Sequence, residues 1–265
     1  MYETIKFTKH ADGSAELKLN RPARHNAFDA AVIAELTEAF ERLHTDKQTR
    51  LLFLTAEGKS FSAGADLAWM RQAASYCEAE NIADARALAD MLHLLYTLPQ
   101  ASIACVQGAA IGGGAGLVAA SDIVIAMTSA TFCFSEVKLG LTPATISPYV
   151  IQAIGPRWAK ALFITAESFA AGYAEKMGLV HYSAETDADF EMLKDYVKGL
   201  VLAGAPGAVT DCKRLIEEVQ TRPIDSTLAD LTAKRIAERR ASLEGREGLA
   251  AFLDKRPPDW APSKA

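Results

Sequence analysis

Cysteine and histidine are scarce and scattered, and that scarcity excludes several kinds of protein at once. The four cysteines, Cys77, Cys105, Cys133 and Cys212, form no Cys-x-x-Cys pair, so neither a structural zinc site nor a disulfide framework is expected. Cys105 and Cys133 fall in apolar, strand-like runs, where small buried thiols are common. His10, His25, His44, His93 and His181 show no metal-ligand spacing, and no metal is expected. His93 shares a helical stretch with Met91 and Tyr96 and reads as a packing or surface residue. His25 precedes Asn26 in a polar turn and is a candidate to face a ligand. Excess positive charge is lacking too. The chain carries 28 Lys and Arg against 33 Asp and Glu, the reverse of what nucleic-acid binding calls for. A local basic patch for a phosphate-bearing ligand stays compatible with that balance. No apolar run reaches bilayer length, and Met1 to Phe7 reads as a strand rather than a leader. A cytoplasmic protein with no nucleic-acid or membrane partner is the expectation. With 265 residues, half of them apolar, the chain can bury one substantial core.

Glycine is present where it is most informative. Two turns, Phe61-Ser62-Ala63-Gly64-Ala65-Asp66-Leu67 and Gly108-Ala109-Ala110-Ile111-Gly112-Gly113-Gly114-Ala115-Gly116-Leu117, each follow an apolar β-like run and lead into a helical pattern. Small residues there let backbone N–H groups approach a ligand, and helix starts leave such donors unpaired. Two sets converging on one point would form an oxyanion hole, and hence an enzyme acting on a carbonyl.

The organisation is that of a layered α/β chain. Strands are expected at Ile5–Phe7, Ala15–Leu19, Leu51–Thr55, Ala101–Val106, Ile123–Ala126 and Thr131–Phe134. Asp29 is placed to cap a helix from Ala30 to about Leu43, in which Val32, Ile33, Leu36, Phe40 and Leu43 recur at helical spacing. Further helices are expected from Leu67, over Ile82–Tyr96 and over Leu117–Ala120. From Pro156 onward helices dominate, over Arg157–Thr165, Ala171–Met177, Asp187–Ala203, Gly207–Gln220 and Thr227–Leu243. Gly204-Ala205-Pro206 marks a boundary between residues 1–203 and a helical part, 204–265. The tail with Pro257, Pro258 and Pro262 is expected to lack regular structure.

Taken together the motifs resemble those of the crotonase, or enoyl-CoA hydratase/isomerase, superfamily. They are Leu19-Asn20-Arg21-Pro22, Asn26-Ala27, the two glycine turns, Ser121-Asp122-Ile123, Glu136 with Leu139-Gly140, and Phe252 with Lys255-Arg256. The resemblance implies a spiral of repeated strand–strand–helix units with a helical C-terminal trimerisation part, assembled as a homotrimer or homohexamer. It implies an acyl-CoA thioester whose oxygen is held by the N–H groups of Ala65 and Gly113. It further implies CoA contacts along Arg24 and the turn carrying Ala63, Asp66, Leu67, Ala68 and Met70, with Gly112 and Gly116 beside the acyl group. Lys255 is implied to reach the phosphates across a subunit interface. CoA is then part of the substrate, and no separate cofactor is expected.

Hydratases of this superfamily generally use two glutamates. Here one position holds Glu136 and the other holds Gly116. One carboxyl can activate water and then return a proton on the same face of the substrate, and burial beside Phe134 and Leu139 would raise its pKa toward neutrality. A surface Glu136 paired with Lys138 is the alternative for that residue. Among superfamily members the motifs look most like bacterial methylglutaconyl-CoA hydratases of leucine breakdown, with isohexenylglutaconyl-CoA hydratases of terpenoid breakdown close behind. Their second carboxylate makes Arg71 and Lys138 candidate cationic partners, with Thr142, Thr145 and Ser147 as candidate hydroxyls. A Δ3,Δ2-enoyl-CoA isomerase using Glu136 alone fits the same residues, as does a non-catalytic acyl-CoA-binding chain.

Overall fold

The computed structural model describes residues 2–261. Its strands are β1 (Ile5–Lys9), β2 (Ser14–Leu19), β3 (Leu51–Ala56), β4 (Ala101–Val106), β5 (Ala109–Ile111), β6 (Ile123–Met127), β7 (Thr131–Cys133), β8 (Phe169–Ala170) and β9 (Tyr182–Ala184). Its helices are α1 (Ala30–Thr45), α2 (Leu67–Ala73), α3 (Glu78–Tyr96), α4 (Gly113–Ala120), α5 (Ser147–Thr165), α6 (Ala171–Met177), α7 (Asp187–Ala203), α8 (Pro206–Val219), α9 (Ser226–Ala241) and α10 (Leu243–Leu253).

One sheet runs in the order β1-β2-β3-β4-β6-β9 and a second in the order β5-β7-β8. β1 and β2 form an antiparallel hairpin, and from β2 to β9 every pairing in the larger sheet is parallel. The sequence explains why. Leu51–Thr55 and Ala101–Val106 are buried residue after residue, the pattern of strands covered on both faces, as parallel strands are. From β4 the chain steps into the smaller sheet as β5 and returns through α4 to β6. It steps across again as β7 and comes back by way of α5, β8 and α6 to β9. Each step is a strand–strand–helix unit, and each step leaves a glycine-bearing or polar turn at the sheet edge.

The main core lies between the sheets and α1, α3, α4 and α5, with Phe28, Phe40, Phe61, Phe132 and Phe134 fully buried. A smaller cluster joins the other face of the large sheet to α7 through Val197 and Leu202. Asp29 caps α1 by accepting the Val32 N–H (3.0 Å), as its position predicts. Cys105 and Cys133 are buried free thiols. No helix among the described residues is long and apolar enough to cross a membrane. In the C-terminal part, α8 is tied to the sheet by Lys213 Nζ on Asp122 (2.7 Å) and by the Thr210 hydroxyl on Pro99 O (2.7 Å).

Several boundaries differ from the sequence expectation, each for a local reason. α3 starts at Glu78 instead of Ile82 because Glu80 reaches back to the Cys77 N–H (2.8 Å), a cap that an apolar pattern does not show. α5 starts about ten residues before Arg157. Gly155 (φ 75°) and Pro156 break it internally, so the apparent breakers mark a kink between two helical segments rather than the helix start. α4 begins at Gly113, inside the glycine turn, and the same turn contributes β5. β8 and β9 are too short to show alternation. Ser242 ends α9 just short of the expected Leu243 and caps α10, a helix the apolar pattern does not announce, by accepting the Gly245 N–H (3.0 Å). The first strand begins at Ile5. Met1 and Pro262 lie outside the described residues, and no regular element follows Leu253 up to residue 261.

Candidate active site

The two glycine turns are pressed against each other by backbone pairing. The Ser62 N–H donates to Ala109 O and the Ile111 N–H donates to Ser62 O, both at 2.9 Å. Gly64 has φ +86°, and a Cβ there would lie 2.9 Å from Ile111 O, so both conformation and space demand glycine. A Cβ on Gly114 would fall 2.7 Å from Ser62 Cβ. Asn26 holds the first turn from below. Its side-chain amide donates to Glu57 O and Ser60 O at 2.9 Å each, and its oxygen accepts the Arg21 N–H at 2.8 Å.

This packing leaves two donors free. Among the described residues, no acceptor takes the N–H of Ala65 or the N–H of Gly113. Gly113 is the first residue of α4, where backbone donors have no intrahelical partner. Both residues line one cavity of about 440 Å³. Phe28 lines it too, with its ring 3.1 Å from where a Gly113 Cβ would stand.

Glu136 enters the same cavity from the 3-10 turn Glu136–Leu139 that follows β7. The Gly112 N–H donates to Cys133 O at 2.9 Å, which ties the second glycine turn to the chain just before Glu136. The result is that Glu136 Oε1 lies 3.2 Å from the position a Cβ on Gly112 would take. Gly112 (φ +52°) is the second place where the turn depends on glycine. Glu136 Oε2 is buried and has no hydrogen-bond partner. Burial pushes the carboxyl above its usual range, only partly opposed by a backbone hydrogen bond. Phe134 is fully buried beneath it, while Leu139 is 57% exposed at the cavity rim. Lys138 makes no ion pair with any described residue, so the surface-pair alternative for Glu136 is not what the structure shows.

The other expected contact residues divide. Ala63, Leu67, Met70 and Gly112 line the cavity with Ala65, Gly113 and Glu136. Asp66, Ala68, Arg24, Gly116, Lys255 and His25 do not. Asp66 is buried and turned to structure: it caps α2 through the Ala68 N–H (2.8 Å) and accepts from Arg24 Nη1 (2.9 Å). That hydrogen bond to Arg24 holds its carboxyl below the usual range. Ala68 is exposed beside it. His25 turns its Nδ1 to Ser60 Oγ (3.1 Å), inside the polar turn. Lys255 is exposed after α10, with φ 53°. Gly116 is the plainest correction. It is buried behind the wall, and a Cβ on it would lie 2.3 Å from Ile146 Cγ2. Of the polar candidates, Thr142 and Thr145 line the cavity. Ser147 bonds Ala144 O instead (2.8 Å). Arg71 and Lys138 are exposed next to the lining residues Met70 and Leu139.

Three features escaped sequence reasoning. The sequence shows Asn26 only as a motif residue in a polar turn, although its low exposure of 2% goes with a three-bond latch. Asp84, which accepts from Trp69 Nε1 (3.1 Å), joins α2 to α3 at the cavity. Ile146, thirty positions from Gly116, fills the place that residue leaves open, and no local pattern announces such a contact.

The sequence matches the family described as enoyl-CoA hydratase/isomerase over residues 9–263. It is 33% identical over 260 residues to the crotonyl-CoA hydratase of Syntrophomonas wolfei, covering 96% of each chain. An enoyl-CoA hydratase from Shewanella pealeana superposes with a TM-score of 0.93 at 41% identity, covering 97% of this chain and 96% of that one. An enoyl-CoA hydratase/isomerase from Marinobacter aquaeolei superposes with a TM-score of 0.91 at 31% identity, over 97% and 98%. The alternating two-sheet spiral with its helical C-terminal part is thus a crotonase-type α/β fold, and this chain belongs to the enoyl-CoA hydratase/isomerase family.

Proposed function

We propose that the protein is an enoyl-CoA hydratase, a carbon–oxygen lyase that adds water to an α,β-unsaturated acyl-CoA thioester. One observation carries the reading: two unpaired N–H groups and one buried, unpaired carboxylate oxygen share a single cavity. The thioester oxygen accepts from Ala65 and Gly113, whose fixed dipoles stabilise the negative charge that builds on it as water attacks carbon 3. Glu136 takes a proton from that water and, as the acid, delivers a proton to carbon 2. Its raised pKa suits a group that must both accept and release a proton during the reaction. The chemistry asks for no cofactor beyond the CoA already in the substrate.

A branched glutaconyl thioester, either 3-methylglutaconyl-CoA or isohexenylglutaconyl-CoA, is the proposed substrate. Among the described residues, the charged ones in the cavity wall are Asp84 and Glu136, both acidic. The second carboxylate of such a substrate must therefore extend to the rim, where Arg71 and Lys138 are cations with no ion pair to a described residue. Thr142 and Thr145 offer hydroxyls on the way. The proposed assembly is a cytoplasmic homotrimer or homohexamer, with residues 204–265 as the trimerisation part around the core 1–203, and Lys255 on the phosphates of a neighbour's CoA.

The test is to supply crotonyl-, 3-methylglutaconyl- and isohexenylglutaconyl-CoA in turn and follow loss of the conjugated thioester's ultraviolet absorbance. Hydration of a glutaconyl thioester, with preference over crotonyl-CoA reduced by Arg71→Ala and Lys138→Ala, is expected. An unchanged preference would remove the glutaconyl assignment. Conversion of a 3-enoyl thioester without water addition would make the protein an isomerase, and no conversion of any thioester would make it a binding chain.

A further inference from the structure

The space that a side chain at position 116 would occupy is already filled. A Cβ there would meet Ile146 Cγ2 at 2.3 Å, Ile146 Cβ at 3.1 Å and Leu92 Cδ1 at 3.7 Å. Ile146 is 1% exposed and at the same time lines the cavity that holds Glu136. Its position just ahead of α5 and its β-branch keep it stiff. So the wall at this point is apolar and closely packed, because Ile146 and the fully buried Leu92 both crowd Gly116.

We infer that Ile146, seated on Gly116, is a specificity-determining residue that selects acyl chains carrying an alkyl branch at carbon 3. This rests on the proposed hydratase placement of the thioester. With the carbonyl on Ala65 and Gly113, carbon 3 must lie within reach of water held by Glu136, the cavity carboxylate whose Oε1 stands 3.2 Å from the Cβ position of Gly112, next to Gly113. A substituent on carbon 3 pointing away from that carboxylate meets apolar wall. A methyl group there exchanges water for contact with Ile146. A hydrogen atom leaves a gap next to a surface with no polar partner for water. No acid can stand at position 116 while Ile146 keeps its place, so the same packing that admits the branch leaves proton handling to Glu136.

Binding of saturated thioesters tests this apart from the reaction, because neither analogue can be hydrated. Isothermal titration with 3-methylbutyryl-CoA and butyryl-CoA measures the branch alone, since the CoA portion is common to both. The wild type should favour the branched analogue about fourfold, the value of one buried methyl group. Ile146→Ala should bring the ratio below about twofold, by the same reckoning. Ile146→Val keeps Cγ2 on Gly116, guards against misfolding of the alanine variant, and should give a ratio between the two. A wild-type ratio near one, or a ratio that neither variant changes, overturns the inference. If hydration fails while the binding ratios behave as stated, the hydratase reading falls and the assignment of Ile146 stands.

Discussion

Replacing Gly116 by alanine tests the packing behind the cavity, and its sign depends on the background. Two effects compete. Within a helix, glycine to alanine gains about 0.8–1.0 kcal/mol from backbone entropy. Against this, the new methyl would stand 2.3 Å from Ile146 Cγ2, more than 1 Å inside the usual carbon–carbon contact of roughly 3.5–4.0 Å. Overpacking of this kind costs about 1–3 kcal/mol, and the upper end applies because the neighbour is β-branched and only 1% exposed. The net loss is about 2 kcal/mol, or roughly 4–8 °C in Tm for a chain of this size. In an Ile146→Ala background the obstruction is gone. The alanine at position 116 then fills part of the void and should raise stability by about 1 kcal/mol. The two single changes are therefore coupled by about 3 kcal/mol, at the upper end of what contacting residues show. Urea unfolding of the four proteins measures the cycle. Additive effects, or a Gly116→Ala protein as stable as the parent, would refute the argument that Ile146 occupies the position.

Glu136→Gln should stabilise the protein at neutral pH. Burial raises the carboxyl pKa, so the folded chain holds that proton more tightly than the unfolded one. Its favourable contribution is complete below the ordinary value of 4.5 and is lost as pH rises through the folded value. The Tm advantage of the glutamine variant should be roughly 2–4 °C at pH 7–8, the equivalent of about 1 kcal/mol. It should shrink as pH falls and vanish below about 4, and an advantage independent of pH would contradict it. Asp66→Ala removes the α2 cap and the acceptor for Arg24, a loss of about 0.5–2 kcal/mol. Because α2 supplies Leu67 and Met70 to the cavity wall, titration with butyryl-CoA should show weaker binding as well.

Much of the architecture was legible in the chain because its strands and helices are locally consistent. Apolar runs at Leu51–Thr55 and Ala101–Val106 marked two strands, and the spacing from Val32 to Leu43 marked α1. What escaped depends on partners distant in sequence. The two-residue strand β8 exists only because β7 is beside it. α10 is separated from α9 by a single serine cap. The site shows the same division. Ala65, Gly113 and Glu136 were named from motifs, and all three line one cavity. Asp66, which carries a motif position in the same turn, is spent on capping and on Arg24 rather than on the cavity. Gly116 looked like a missing group, whereas the structure shows a filled position, since Ile146 arrives there from a loop thirty residues away.

The central claim is that one carboxylate, aimed at a thioester held by two amides, moves every proton in the reaction. Hydration of crotonyl-CoA by Glu136→Gln, with butyryl-CoA affinity measured on the same sample, tests it most directly. The account predicts a fall in kcat of about 10²–10⁴, the usual contribution of a general acid–base group, with affinity unchanged. Turnover within a few-fold of the wild type would contradict it and would send the search for the base elsewhere in the cavity.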